Sequence, residues 1–225
     1  MVQAPTPTKI LYPDSDGRPM ADNTVQYRWI VRLVTNLKRL LKGQTAFVAG
    51  DLLWYPVQVD VPPAPCQAPG AMVILGRPDG DRGSYRQWEE ENIPPQVVFE
   101  ILLPSNSAQE MLKKQAFYGK HGVLEMFFYD PDSCDFFGLI RSRPDQDFSS
   151  VTALNFPWTS PTLGIRFELF DDGLAVFYPD GERFKDPDEV IEERDQAQQE
   201  RDQAQQERDR AFAKLREMGV DPTQL

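Results

Sequence analysis

The chain has 225 residues, of which 40% are apolar and 26% charged, so it can bury the core of one ordinary domain with an appendage. Its formal net charge of −11 argues against a free-standing basic nucleic-acid module. With one histidine and two cysteines, it cannot build a zinc cage or a two-histidine phosphoryl-transfer site. Cys66 and Cys134 form no close pair and are predicted to be reduced thiols.

The first residues have neither the pattern of a signal peptide nor that of a membrane anchor. They are polar and proline-rich, without a basic and then an apolar region. No run in the chain approaches the roughly 18 apolar residues of a membrane span. We therefore expect a cytoplasmic protein with no membrane contact. Residues 1–22 are interpreted as an N-terminal arm that is either ordered on contact or disordered.

Residues 23–185 have the pattern of a folded domain. Apolar residues recur at helical spacing between a candidate N-cap, Asn23 or Thr24, and a candidate stop, Gly43. The segment TAFVAGDLLWYPVQV is predicted to be a strand that Gly50 interrupts and that ends near Pro56. Two apolar runs rich in β-branched residues, GAMVILG and QVVFEILL, come next and are predicted to be strands.

The rest of this region predicts one more helix and several hairpins. A capping box of Ser107 and Glu110 precedes a helix over Ala108–Lys120. A hairpin is expected around Asp130–Cys134, and Asp-Gly turns indicate two more within residues 163–184, which we expect to extend the sheet. The order of helix, strands, helix and strands predicts an α/β fold with a central mixed sheet.

Residues 186–225 are predicted to form one long helix. The heptad ERDQAQQ occurs at Glu193–Gln199 and again at Glu200–Gln206, with alanine at one seam position and arginine at the other. No acid lies three or four residues from an arginine in these copies, so we expect the charges to pair with a second helix and not along their own. This favours a weak coiled coil and a homodimer, and the alternative is a frayed, solvated helix.

Glu100 interrupts the otherwise apolar run VVFEILL. An ionised carboxylate in a buried strand is costly unless it is paired, hydrogen-bonded or bound to a cation. Alternation places Glu100 on the same strand face as Val98 and Leu102. Two interpretations stay open at this point: a metal-binding carboxylate, or a structural residue in an ion pair or at an exposed strand end.

The predicted helix after this strand supplies Lys113 and Lys114. Lys114 lies four residues from Glu110, so a Glu110–Lys114 surface pair worth roughly a few tenths of a kcal/mol is the simplest expectation. His121 is expected to lie at the end of the helix. No phosphate-cradling glycine motif and no G-x-S-x-G elbow is present.

The segment PPQVVFEILLPSNSAQEMLKKQAFYGKHGVLEMFFYDPD resembles the Uma-type putative restriction endonuclease family, which is abundant in cyanobacteria. GDLLWYP, the charged segment before VVFE and the heptad tail are similar to that family as well. The resemblance covers residues 20–185 and the tail. It implies the PD-(D/E)XK nuclease fold, a restriction-endonuclease-like mixed sheet flanked by helices.

The family pattern implies site residues in this chain. Its strand glutamate, which holds Mg²⁺ together with an aspartate, corresponds to Glu100. Its lysine, displaced from the E-x-K position onto the next helix, corresponds to Lys114, with Lys113 as the less favoured substitute. Tyr118 matches the tyrosine of the same K-x-x-x-Y segment.

The chain departs from the family pattern at Gly70, where relatives carry the metal-bridging aspartate of a Pro-Asp pair. Asp51, or alternatively Asp22, would have to compensate, and we expect Glu100 and Asp51 to hold the metal. The resemblance therefore implies a Mg²⁺-dependent DNA endonuclease, whose activity the glycine at position 70 would impair. The alternative is a degenerate pseudo-nuclease that binds or assembles through its coiled-coil tail. DNA could contact a strip of six basic residues, and the alternative is that these charges are scattered and solvated. The six residues are Arg77, Arg82, Arg86, Lys113, Lys114 and Lys120.

Overall fold

The computed structural model describes residues 11–17 and 19–218. The chain divides into two compact units, one ending at Phe184 and the other beginning at Lys185. The helices are α1 (Thr24–Leu40), α2 (Ala108–Lys120) and α3 (Pro187–Glu217). The strands are β1 (Ala46–Ala49), β2 (Trp54–Tyr55), β3 (Ala71–Leu75), β4 (Tyr85–Arg86), β5 (Val97–Ile101), β6 (Glu125–Asp130), β7 (Asp135–Ile140), β8 (Ser149–Thr152), β9 (Trp158–Thr159), β10 (Arg166–Phe170) and β11 (Gly173–Phe177).

A six-stranded mixed sheet forms the centre of the first unit, in the order β1-β3-β5-β6-β7-β8. Strands β5 and β6 are parallel, and the other neighbours in this sheet are antiparallel. A parallel pair needs a crossover, and α2 provides it between β5 and β6. The predicted α/β fold with a central mixed sheet is confirmed.

Helix α1 covers one face of this sheet. Its Asn23 cap accepts a hydrogen bond from the backbone of Gln26, as the sequence predicts. Trp29, Leu33 and Leu37 recur every four residues and are buried, so the apolar stripe of the helix lies against the sheet.

The two faces of the sheet contribute to separate apolar clusters because side chains alternate along each strand. In β5, Phe99 belongs to the cluster that includes Leu33 of α1. Val98 belongs to the opposite cluster, together with Tyr118 of α2. Glu100 follows the alternation of Val98, so its side chain lies on the α2 side of the sheet.

The hairpin of β10 and β11 does not extend the central sheet, and this expectation is wrong. Strands β9, β10 and β11 form a separate three-stranded sheet. The reason is the apolar face of this hairpin, which is buried in the same core cluster as Phe127: the ring centroids of Phe127 and Phe167 are 4.9 Å apart. The hairpin thus packs face-on and does not hydrogen-bond to an edge.

The second unit contains α3, a helix of 31 residues. One expectation for it is wrong, because Arg194 does find a partner on its own helix. Its Nη2 lies 2.8 Å from Oδ1 of the next residue, Asp195.

Among the helices that the structure describes, none has both the length and the apolar character of a membrane span.

Candidate functional site

Glu100 is held by two side chains from α2. It is 5% exposed, and Nζ of Lys114 lies 2.8 Å from its Oε2. The hydroxyl of Tyr118 donates a short hydrogen bond to its Oε1. We call these three residues the Glu100 triad. The buried charge is therefore compensated by an ammonium group and a hydroxyl.

Local sequence explains how α2 presents these groups. Ser107 caps the helix by accepting a hydrogen bond from the backbone of Glu110, and β5 leads directly into this turn. Lys114 and Tyr118 are four residues apart, so they lie on one face of the helix, the face that packs on β5. His121 is the C-cap, as expected.

Lys114 pairs with Glu100 and not with Glu110, so the expected surface pair is wrong. The exposed fractions of the Lys114 and Glu100 side chains are 18% and 6%. A pair with so little water is attracted more strongly than a surface pair, and a buried carboxylate without a partner would be costly. The simple i, i+4 expectation fails because it ignores the neighbouring strand.

Tyr118 is a neutral hydrogen-bond donor. Burial raises its pKa well above the ordinary value, and the adjacent negative charge of Glu100 raises it further. Its ring stacks on Trp54, with centroids 6.3 Å apart. The ring is thus fixed, and the hydroxyl has one direction in which to donate.

Asp51 lies near the Glu100 triad. Its backbone is left-handed, with φ +48°, a conformation that aspartate tolerates better than most residues, and its N–H donates to the carbonyl of Pro69 at 3.0 Å. Burial raises the pKa of its carboxyl to about 6, helped by the negative charges of Asp16 and Glu100 and opposed by Lys114. Asp51 and Glu100 line the same cleft, and their joint role in holding a metal stays a prediction.

Asp51, Glu100 and Lys114 line one cleft of about 350 Å³ at the end of β5. Its wall includes Gly70, where the resemblance implies that relatives carry an aspartate. Asp22 and Lys113, the two substitute candidates from the sequence, also line it. The amide of Gln26 donates to the carbonyl of Ile101 at 3.0 Å and ties the start of α1 to this edge. The polar and charged residues of the wall are Asp16, Asp22, Gln26, Asp51, Gln67, Glu100, Asn106, Glu110, Lys113 and Lys114.

The side chains of the cleft could hold a hard cation only with a small number of protein ligands. Within residues 11–17 and 19–218, no three His, Cys, Asp or Glu side chains are grouped to hold a metal. Mg²⁺ in enzymes is often held by one or two carboxylates, with waters and substrate phosphates completing its shell. Asp51 and Glu100 can supply two such oxygens. Burial, and then the charges of Asp16 and Glu100, raise the pKa of Asp51 and so disfavour its charged form, which a bound cation would favour.

Part of the N-terminal arm forms a wall of the same cleft, which the sequence analysis missed. The ring of Tyr12 packs on Tyr55 and Trp88, with centroid distances of 5.3 and 4.9 Å. Its hydroxyl donates to the carbonyl of Val59 at 2.7 Å. We call residues 11–17 and 19–22 the strap. Proline-rich polar sequence gives no period, so only the isolated Tyr12 could have signalled this packing.

Two arginines of the proposed basic strip are neutralised. The Nε atoms of Arg77 and Arg82 lie 2.8 and 2.7 Å from the two carboxylate oxygens of Glu90. These hydrogen bonds, that of Arg82 first, hold the pKa of Glu90 below its usual value. The charged linker is thus internally paired and offers little net positive charge to DNA.

A second buried carboxylate, Glu125, is structural. It is 1% exposed and accepts hydrogen bonds from the hydroxyl of Ser160 at 2.5 Å and the backbone of Thr162 at 2.7 Å. Sequence reasoning missed it because it opens a strand, where an acid is ordinary. Its bonds fix the loop before β10 to β6.

The chain is similar to a known protein family and to a solved structure. The family model Uma2, described as a putative restriction endonuclease, matches residues 15–162. A search of the curated proteins found no match. Among solved structures, a putative nuclease belonging to DUF820 from Anabaena variabilis ATCC 29413 is similar, with 17% identity and a TM-score of 0.44. The similarity covers 67% of this chain and 81% of that one. Since the family model spans more than half of the sequence, the chain belongs to the Uma2 family.

Proposed function

We propose that this protein is a Mg²⁺-dependent nuclease that hydrolyses phosphodiester bonds in DNA. The observation that carries the proposal is the Glu100 triad, a buried carboxylate held by an ammonium group and a hydroxyl in the wall of a polar cleft. Membership in a family described as putative restriction endonucleases supports the reaction class.

Glu100 and Asp51 are the residues that would hold the cation. Bound Mg²⁺ polarises a phosphate and lowers the pKa of a coordinated water. Both Glu100 oxygens already accept a hydrogen bond, but a carboxylate has about four lone-pair sites, so capacity remains. The partners of Glu100 fix its orientation, as second-layer hydrogen bonds do for metal-binding carboxylates.

Lys114 has the second role. It neutralises Glu100 in the free protein and keeps a positive charge beside the position of a scissile phosphate. An ammonium group there stabilises the negative charge that develops during hydrolysis. Tyr118 is a positioning residue, since its hydroxyl donates to Glu100 and holds that carboxylate in place.

The experiment is Mg²⁺-dependent nicking of supercoiled plasmid by full-length protein. We expect Glu100→Gln, which is isosteric, to reduce nicking at least about a hundredfold. Glu110→Gln removes another acid of the same cleft wall and serves as the matched control, with activity close to that of the wild type. Equal nicking by Glu100→Gln and the wild type would remove Glu100 from the mechanism.

A degenerate nuclease that only binds is the second candidate. It is favoured by the absence of a three-residue acidic or histidine cluster in the described part of the chain, and by Gly70 in the cleft wall. Under this alternative the wild type binds DNA without nicking it in any divalent metal. Nicking that copurifies with the wild type and is lost in Glu100→Gln excludes it.

We also propose that the chain is a homodimer whose copies associate through α3. Truncation after Asp186 should convert the dimer to a monomer. Light scattering of the two forms tests this, and an equal subunit number in both would leave the tail without an assembly role.

A further inference from the structure

One face of α3 carries a repeating pattern of charge. In this pattern Glu193 contacts Lys185 at 2.8 Å, and the contacts of Arg194 and Arg208 are exposed. The two seam positions of the heptad carry mostly small apolar residues and arginines. We call this row the α3 seam: Val190, Arg194, Ala197, Arg201, Ala204, Arg208 and Ala211. A glutamate directly precedes each of the three arginines, at Glu193, Glu200 and Glu207.

The ends of α3 also expose large apolar side chains. Val190 and Ile191 are 43% and 47% exposed, and Met218 at the far end is 76% exposed. A helix with a polar middle and apolar side chains in water at both ends buries little of its own surface. Its 31 residues form almost nine turns, which is long enough for several heptads to contact a partner helix.

The contacts within the helix do not satisfy the seam arginines. Arg194 reaches only the neighbouring Asp195, and these two side chains are 73% and 58% exposed. Arg208 lies 4.0 Å from Asp209, and these two side chains are 59% and 61% exposed. Exposed pairs of this kind contribute little to stability. On a second helix, the seam arginines could instead meet the row of glutamates that lies beside the seam.

We infer that α3 recognises a second copy of this chain through charge complementarity, with the seam arginines of each copy paired to the glutamates that border the seam of the other. The sequence is self-complementary, because each copy brings both the arginine row and the glutamate row. Alanine at the alternate seam position lets the two backbones approach, so the long arginine side chains can reach across to the partner's edge. This inference concerns assembly and does not depend on catalysis.

Charge reversal in full-length protein tests the pairing. The acidic variant is Arg194→Glu/Arg201→Glu/Arg208→Glu, and the basic variant is Glu193→Arg/Glu200→Arg/Glu207→Arg. Each alone brings like charges together, so we expect self-association at least about tenfold weaker than in the wild type. An equimolar mixture should form a heterodimer at wild-type concentration or below, measured by analytical ultracentrifugation with circular dichroism to follow helix content.

A matched control reverses three charges on the outward row, Asp195→Lys/Asp202→Lys/Asp209→Lys, and should associate like the wild type. High salt should weaken the wild-type dimer and strengthen the acidic variant, because it screens attraction and repulsion alike. Undiminished self-association of the acidic variant would overturn the inference, as would a wild type that is monomeric at all concentrations. A mixture that fails to pair although both variants stay helical would overturn it as well.

Discussion

Gly70 lies across from Glu100 in the register of β3 and β5. Ala71 pairs with Phe99 in this antiparallel register, so the next pair toward the cleft is Gly70 with Glu100. A Cβ built on Gly70 would lie 3.1 Å from the carbonyl oxygen of Phe99 and 3.6 Å from the amide nitrogen of Ile101. It would also lie 3.7 Å from the side chain of Ile30 on α1, so an acid placed at Gly70 would stand in the wall of the cleft that Glu100 lines.

The variant Gly70→Asp should bind Mg²⁺ more tightly than the wild type, by about tenfold, because it adds a charged oxygen ligand to the site. The close contact with the neighbouring strand should cost about 1 kcal/mol of unfolding free energy. Calorimetric titration with Mg²⁺ measures the affinity. Gly70→Asn, equal in size and uncharged, is the control, and an equal gain in both variants would contradict the role of charge.

The ion pair of Lys114 with Glu100 predicts a strong coupling in stability. Lys114→Met should lower the free energy of unfolding by about 3 kcal/mol, because it leaves a buried carboxylate with a hydroxyl partner alone. Adding Glu100→Gln removes that charge, so the double variant should recover much of the loss. Urea unfolding of all four proteins gives the coupling energy. Losses that simply add would show that the two side chains do not interact.

The sequence predicted the elements that form the cleft and three of the residues in its wall, Asp51, Glu100 and Lys114. Helical spacing and a cap were sufficient for α2, and alternation placed Glu100 on the face that α2 covers. The partner of Lys114 could not be predicted, since the choice between Glu110 and Glu100 depends on which strand lies under the helix. The seating of the β10–β11 hairpin depends likewise on packing against Phe127, which local pattern does not encode.

The packing of the strap and the pairing of Glu90 with Arg77 and Arg82 could not be predicted from the sequence, for a related reason. Their contacts join residues far apart in the chain, as when the hydroxyl of Tyr12 meets the backbone of Val59. Neither segment has a period that would signal burial. Arg77 and Arg82 read as free positive charge in the sequence, and only the fold shows that Glu90 lies between them.

Tyr118 predicts a loss of stability that a matched tyrosine does not share. Its hydroxyl is buried and donates to a charged acceptor, so Tyr118→Phe should cost about 1–2 kcal/mol. Tyr27→Phe on α1 is the control, because that side chain is 52% exposed. Thermal and urea unfolding compare the two. Equal, negligible effects would mean that the hydroxyl contributes nothing to holding Glu100.

Glu90 predicts a pH dependence in the acid range. Its pKa is lowered in the folded protein from the ordinary 4.5 by Arg82 and Arg77, so it contributes stability above that pH, and this stability is lost as the pH falls through the folded pKa. Glu90→Gln should be destabilised by about 1–2 kcal/mol at pH 7. The difference from the wild type should shrink below the ordinary pKa. Melting temperatures of both proteins from pH 7 downward measure it, and a constant difference would contradict the ion-pair origin.

The strap predicts that one aromatic side chain controls access to the cleft. Tyr12→Ala removes two ring contacts and the hydrogen bond to Val59, so the segment that brings Asp16 and Asp22 to the cleft wall loses its anchor. We expect faster thermolysin cleavage within residues 13–22, mapped by mass spectrometry, and tighter binding of duplex DNA by fluorescence anisotropy, because two carboxylates move away from a site for phosphates. Tyr27→Ala is the control. Unchanged cleavage would show that other contacts hold the strap, and faster cleavage with unchanged DNA affinity would show that the strap does not restrict the cleft.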